Sequence, residues 1–211
     1  LIITGMSDQV SWGFYIANFT FMVGIAAASV LLVIPSYLFH RDDVKKVVLI
    51  GEALAVAAVV TAILLVVVDL ARPDRFWHII PFIGKFNLPM SMLAWDVVVL
   101  YGYLFLNLFI PFYILYKHYR GQQPSLKHYF PFIVIAIFWA ISIHTVTAFL
   151  FSASTARPFW HTALLGPRFI ASAFVSGPAL IIVSLLIIRK YWDYQIKQAV
   201  IDMLAVILMF A

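Results

Sequence analysis

The sequence contains no cysteine. That excludes disulfides, thiol catalysis and thiolate-ligated clusters within the chain, so no iron–sulfur cluster finds its ligands here. Charge is also scarce. Charged residues make up 11% of the chain, against about a quarter in an ordinary soluble domain. No nucleotide-binding loop, hydrolase triad or zinc-ligand spacing is present, and no metal site is expected. The net charge of +5 is modest and fits basic loops beside membrane spans better than contact with nucleic acid. A secretory signal peptide does not fit either, because no short apolar run leads through a cleavage site into a polar domain.

What fills the chain instead is apolar: 64% of residues are hydrophobic. Several runs exceed the roughly 20 residues that cross a bilayer as a helix. Such spans satisfy their backbone groups internally, so the expected fold is all-α, a polytopic transmembrane helix bundle embedded in lipid. About six spans are expected in this portion: residues 13–39, 47–68, 91–116, 129–151, 169–188, and a sixth from about residue 199. The sequence opens on Leu-Ile-Ile and stops inside an apolar run at Ala211, which reads as an internal portion of a longer membrane protein. In the first span, Gly24 to Ser29 are small residues that would let a neighbouring helix approach closely. Pro35 falls in its last turns.

Residues 69–96, DLARPDRFWHIIPFIGKFNLPMSMLAWD, interrupt the apolar pattern. Pro73, Pro81 and Pro89 argue against one long helix there and for short amphipathic pieces at the interface. Asp69, Arg72, Asp74 and Arg75 read either as a structural knot of ion pairs or, with Trp77, as a docking surface for a partner. Basic residues set the orientation. The first, third and fifth loops carry Arg41, Lys45, Lys46, Lys117, Arg120, Lys127, Arg189, Lys190 and Lys197. The second and fourth carry Arg72, Arg75, Lys85, Arg157 and Arg168. The first set is therefore expected on the cytoplasmic side of an inner (cytoplasmic) membrane, with residues 69–96 facing outward.

Charged groups inside spans are costly and are by default functional or paired. Asp96 lies about one and a half turns into the third span. At about 100° per residue, Tyr103 and Asn107 point within roughly 20° of it. This stripe is either a proton-accepting, ligand-orienting face or a set of hydrogen bonds to a neighbouring helix. His144 lies two turns from the outer end of the fourth span, with Thr147 one turn further on. Asn18 lies near the outer end of the first span, with Tyr15 one turn before it, and Arg168 opens the fifth. By depth, Asn18, Asp96, His144 and Arg168 converge in the outer half of the membrane. A quinone head group needs such a set: donors for its carbonyls, a proton-exchanging group and apolar walls. Asp96 and His144 are the candidates for moving protons; Tyr15, Asn18 and Arg168 would orient the ring. Glu52, roughly 25 Å from Asp69 along the second span, is either an inner station of a proton path with Asp69 or a group that reaches interfacial water.

The runs SWGFYIANFTFMVGIAAA, VDLARPDRFWHIIP, PMSMLAWDV and GPRFIASAFVSGPA resemble the NrfD/polysulfide-reductase membrane-subunit family. IHTVTAFL and SAFVSGPA resemble in particular the DsrP-type subunits of sulfite-reduction-associated complexes. The resemblance implies an eight- to ten-helix protein that is not by itself a complete catalyst. Residues 1–151 would form a four-helix quinone-site bundle, and residues 152–211 the start of a second one. It implies menaquinone as bound substrate, an outer-side iron–sulfur subunit as electron partner, further membrane and cytochrome subunits, and a role in sulfur metabolism. Asn18, Asp96 and His144 map to the polar site positions, and Asp69, Arg72, Pro73 and Arg75 to the loop. The alternatives are a di-haem cytochrome b-type subunit and a transporter. Haem b would need two facing imidazoles, and only His144 of the six histidines lies well inside a span.

Overall fold

Every long apolar run closes its backbone hydrogen bonds within a helix, as a chain in lipid must. The computed structural model describes residues 12–26, 29–70, 73–80, 82–154, 157–192 and 194–211. The first span comprises α1 (Phe14–Ala26), α2 (Val30–Val33) and a π-helical turn (Ile34–Leu38). Pro35 accounts for the widened turn: it has no N–H to return to the preceding turn, and its ring crowds the carbonyl four residues back. The chain recovers with Phe39 N donating to Ile34 O at 3.3 Å and Arg41 N to Pro35 O at 3.1 Å.

Four long helices follow: α3 (Asp42–Asp69), α4 (Met92–Tyr119), α5 (Leu126–Ser152) and α6 (Leu165–Tyr191). With the first span they make five stretches long and apolar enough to cross a membrane. In the place of the sixth stands α7 (Gln198–Phe210), with 13 residues. The termini carry the expected signals. Asp42 and Asp43 sit in the first turn of α3, where the helix dipole favours negative charge, and Arg41 pairs with Asp43. Ser91 caps α4, its Oγ accepting from Ala94 N at 3.2 Å, which satisfies one of the four free N–H groups of a helix start. Arg189 and Lys190 close α6. The connection between α3 and α4 carries a short 3-10 helix, Pro73–Ile79, in keeping with the broken pattern of prolines.

The helices alternate in direction. α3 packs on the first span, α4 on α3, α5 on α4 and α6 on α5; α6 also packs along α1, and α7 rests on α6. The five long segments thus form a closed ring. Close approaches occur where the sequence is small. Gly24 faces Ser176 and Ala173 of α6, and Gly102 lies against the Trp139 ring of α5. The Trp139 indole donates to Val99 O at 2.8 Å. One core cluster, around Phe19, Val23, Val59, Leu100 and Ile143, fills the half towards residues 69–96, here called the loop side. Another, around Leu32, Val44, Ile133, Ile181 and Leu204, fills the opposite half. Phe105, Phe112, Phe138, Phe149 and Val183 are exposed on the outside, where a bilayer is the matching solvent.

Candidate functional site

His144 is the one buried histidine among the described residues, 2% exposed. Its Nδ1 lies 2.9 Å from Ala140 O on the preceding turn of α5. That contact orients the ring and leaves Nε2 as the free end. Nε2 is buried and has no hydrogen-bond partner. A buried polar atom without a partner is costly, and the His144 residue lines a cavity of about 280 Å³ between α1, α5 and α6 on the loop side. Thr20 and Gly24 of α1, Phe151 of α5, and Arg168 and Ser172 of α6 line the same cavity, with Phe159 and Trp160 from the α5–α6 connection. Arg168 is exposed, and its guanidinium stands 5.1 Å from the Phe159 ring centre. Trp12, Phe151 and Trp160 pack on one another beside it, with centroids 4.9 to 5.7 Å apart. The cavity therefore has a cationic group, Arg168, aromatic walls and the His144 residue in its lining.

Asp96 is 1% exposed and accepts a hydrogen bond from Thr147 Oγ1 at 2.7 Å. Thr147 is itself fully buried. It lies one turn along α5 from His144, about 4.5 Å of rise, so α5 carries the ring and the donor to the carboxylate on adjacent turns. The structure thus pairs Asp96 with Thr147, and places His144 and Arg168 in the wall of one cavity that neither Asp96 nor Thr147 lines. Asn18 is not part of that set: its Nδ2 donates to Phe14 O on its own helix at 2.8 Å, and it is not among the cavity residues. Tyr15, half-buried, stands edge-on to Phe14 with centroids 5.9 Å apart, and it also stays outside the cavity. Thr20 and Ser172 line the cavity too, although nothing in the sequence pattern distinguishes them. They are isolated hydroxyl residues in apolar helices, and only the packing of α1 against α6 brings them together.

The polar stripe of α4 divides. Tyr103 and Asn107 are buried and bind the first span: Tyr103 Oη lies 2.9 Å from Ser29 Oγ and 3.1 Å from Ala26 O. Ser29 Oγ donates to Asn107 Oδ1 at 3.3 Å, and Asn107 Nδ2 to Tyr103 O at 2.9 Å. For these two the reading as bonds to a neighbouring helix describes the structure. Glu52, 2% exposed, has an unpartnered Oε2, and Tyr37, Tyr103 and Tyr129 lie within its electrostatic reach. Asp69 ends α3 with Oδ1 unpartnered among the described residues. Thr61 is the one polar side chain between Glu52 and Asp69 on α3; it is exposed and bonded to Ala57 O. The helix itself does not link the two acids.

On the connection between α3 and α4, Arg72 lies outside the described residues. Arg75, Phe76 and Trp77 are exposed, and Trp77 stacks on His78 with centroids 3.7 Å apart. Cation and aromatic groups are therefore exposed side by side along the Pro73–Ile79 turn.

A five-span scaffold thus holds a buried imidazole and a buried carboxylate, and its α3–α4 connection exposes Arg75 and Trp77. The model of the NrfD polysulphide reductase family matches residues 3–211. The chain belongs to the NrfD family. Its curated relatives include a Halobacterium salinarum protein named as a membrane component of a dimethyl sulfoxide reductase, 31% identical over 87% of this chain and 45% of the relative. The Hdr-like menaquinol oxidoreductase integral membrane subunit of Archaeoglobus fulgidus is 25% identical over 97% of this chain and 49% of its own length. A selenate reductase subunit of Mesobacillus selenatarsenatis is 23% identical over 85% of this chain and 49% of its own. The NrfD chain thus spans about half the length of the curated relatives it matches.

Proposed function

We propose that this NrfD-family chain is the quinone-exchanging membrane part of a respiratory oxidoreductase complex. The observation that carries the reading is the unpartnered, buried Nε2 of His144, a residue that lines one cavity together with Arg168. A quinol hydroxyl, donating to Nε2, supplies the missing partner, and the aromatic and apolar walls accept the ring face. Oxidation of a quinol to the quinone releases two electrons and two protons. His144 is placed to take a proton at Nε2. Thr147 and Asp96, on the next turn and the adjoining helix, provide a second acceptor within the protein. The electrons require an acceptor, and the chain has no cysteine to hold an iron–sulfur cluster. The proposed acceptor is therefore a separate iron–sulfur subunit, seated on the exposed Arg75, Phe76 and Trp77 of the loop side, which the charge bias places outward from a cytoplasmic membrane.

A menaquinol is the proposed substrate, supported by the name of the Archaeoglobus relative. A place in dissimilatory sulfur metabolism, in a DsrP-type complex, rests on the IHTVTAFL and SAFVSGPA runs alone; the relatives are named for several terminal reductases. The test is affinity for a fluorescent quinol analogue in the purified complex. His144→Ala and Arg168→Ala weaken it by about tenfold each, the worth of one charge-assisted or buried hydrogen bond. Unchanged affinity in both variants contradicts the assignment.

A further inference from the structure

His144 borders two cavities. The first is the one just described. The second lies deeper in the membrane, about 130 Å³, between the first span, α5 and α6. Val30 and Ile34, Ile137 and Ala140, and Ala173 and Phe174 line it, and His144 is its one residue with an ionisable side chain. Its outer edge is not closed. Ile141 of α5 is 50% exposed and Phe174 of α6 41%, so the cleft reaches the outer surface of the chain between these two helices. The residues along α5 set its depth: from His144 to Ile137 is about 10 Å along the axis.

The sizes of the two spaces matter together. Drug-sized ligands occupy pockets of about 300–1,000 Å³. The cavity at Arg168, about 280 Å³, therefore suits a ring system but not a ring with a long hydrocarbon chain. That chain cannot leave past Arg168 towards water without exposing apolar surface. The deeper cleft shares His144 with the ring cavity, is lined otherwise by apolar residues, and is open at the surface of the apolar helices.

Building on the quinone reading, we propose that the slot between α5 and α6 below His144 is the lateral portal through which the ligand passes from the bilayer, and that it holds the first isoprenoid segment of the bound molecule, with Ala140 and Ala173 as the residues whose small size keeps it open. Both alanines are buried, and both stand on the walls that face each other across the slot. Both line the deeper cleft and neither lines the ring cavity, so a larger side chain at either position takes the space of the tail.

The test uses the purified full-length protein in its complex and two probes: menadione, which has the naphthoquinone ring and no chain, and menaquinone-4, which has the same ring with four isoprenoid units. Binding is read by quenching of intrinsic tryptophan fluorescence. In Ala173→Phe, and independently in Ile34→Trp on the opposite wall, menaquinone-4 binds about tenfold or more weakly, from the lost apolar burial. Menadione binding changes by less than about twofold on the scale where 1.4 kcal/mol is tenfold. Menaquinone-4 affinity unchanged in both variants overturns the portal and leaves the ring site standing. Equal loss of both probes in both variants also overturns it, because the cleft is then not selective for the chain. Failure of the underlying reading looks different: both probes bind the wild type and His144→Ala equally well. Native mass spectrometry adds a further outcome. A phospholipid retained by the wild type and lost from both variants, with menaquinone-4 affinity intact, assigns the slot to a lipid acyl chain and overturns the proposal.

Discussion

Replacing Tyr103 by Phe removes one hydroxyl from a fully buried position and keeps the ring. The hydroxyl oxygen lies 2.9 Å from Ser29 Oγ and 3.1 Å from Ala26 O, tying α4 to the first span. A neutral buried hydrogen bond contributes about 0.5–1.5 kcal/mol net. Side-chain bonds between membrane helices average about 0.6 kcal/mol, with a ceiling near 1.7. Tyr103→Phe is therefore expected to cost about 0.5–1.5 kcal/mol. Ser29→Ala costs a similar amount, since Ser29 Oγ also donates to Asn107 Oδ1. The double variant costs less than the sum, because the shared bond is removed only once. Denaturation in mixed micelles of the two single variants and the double gives the coupling directly, and about 0.6 kcal/mol is the expected value. Quinol-dependent turnover stays within about twofold of wild type, because the bonds are internal to the scaffold. The reasoning is refuted if Tyr103→Phe leaves stability unchanged while turnover collapses; the hydroxyl would then act on the ligand or its protons.

Further perturbations separate scaffold from site. Gly102→Ala places a Cβ 2.5 Å from the Trp139 ring, an overpacking that costs about 1–3 kcal/mol and is read as a lower denaturation midpoint. Asp96→Asn keeps the shape of the Thr147 contact and removes the acid; turnover falls by about tenfold or more at unchanged expression, as for loss of a general base. Thr147→Val removes the donor to Asp96 and costs about 1.5–3 kcal/mol of stability if the carboxylate is charged, measured in the same micelle titration. Trp77→Ala together with Arg75→Ala leaves quinol-analogue affinity intact and weakens co-purification of the iron–sulfur partner, as expected for an aromatic and arginine anchor.

Depth was legible in the sequence and direction around the helix axis was not. Counting residues from the ends of the apolar runs places Asp96, His144 and Arg168 at similar depth; in the structure His144 and Arg168 line one cavity, while Asp96 bonds to Thr147. The same count places Asn18 there, yet Asn18 turns its amide back to Phe14 O. Depth along a helix follows from rise per residue; which neighbour a residue meets depends on packing between segments distant in sequence. For that reason the Asp96–Tyr103–Asn107 stripe was visible as a pattern, while its partners Ser29 and Thr147 were not. The packing of α6 along α1, which creates the His144 cavity, is likewise a long-range contact. Gly24 offered a hint of it, as a residue small enough to admit a close helix, without saying which helix would come. Pro35 announced a defect in the first span through its missing N–H; the π-helical turn is the form the defect takes.

The central claim is that a quinone ring sits against His144 Nε2, between α1, α5 and α6. The most direct measurement is photo-crosslinking of the purified complex with an azido-quinone, followed by peptide mapping. The account predicts label on residues beside the cavity, in the segments around Thr20, His144 and Ser172, displaced by excess menaquinone and lost in His144→Trp. Label confined to other helices, or equal labelling with and without competing menaquinone, contradicts it.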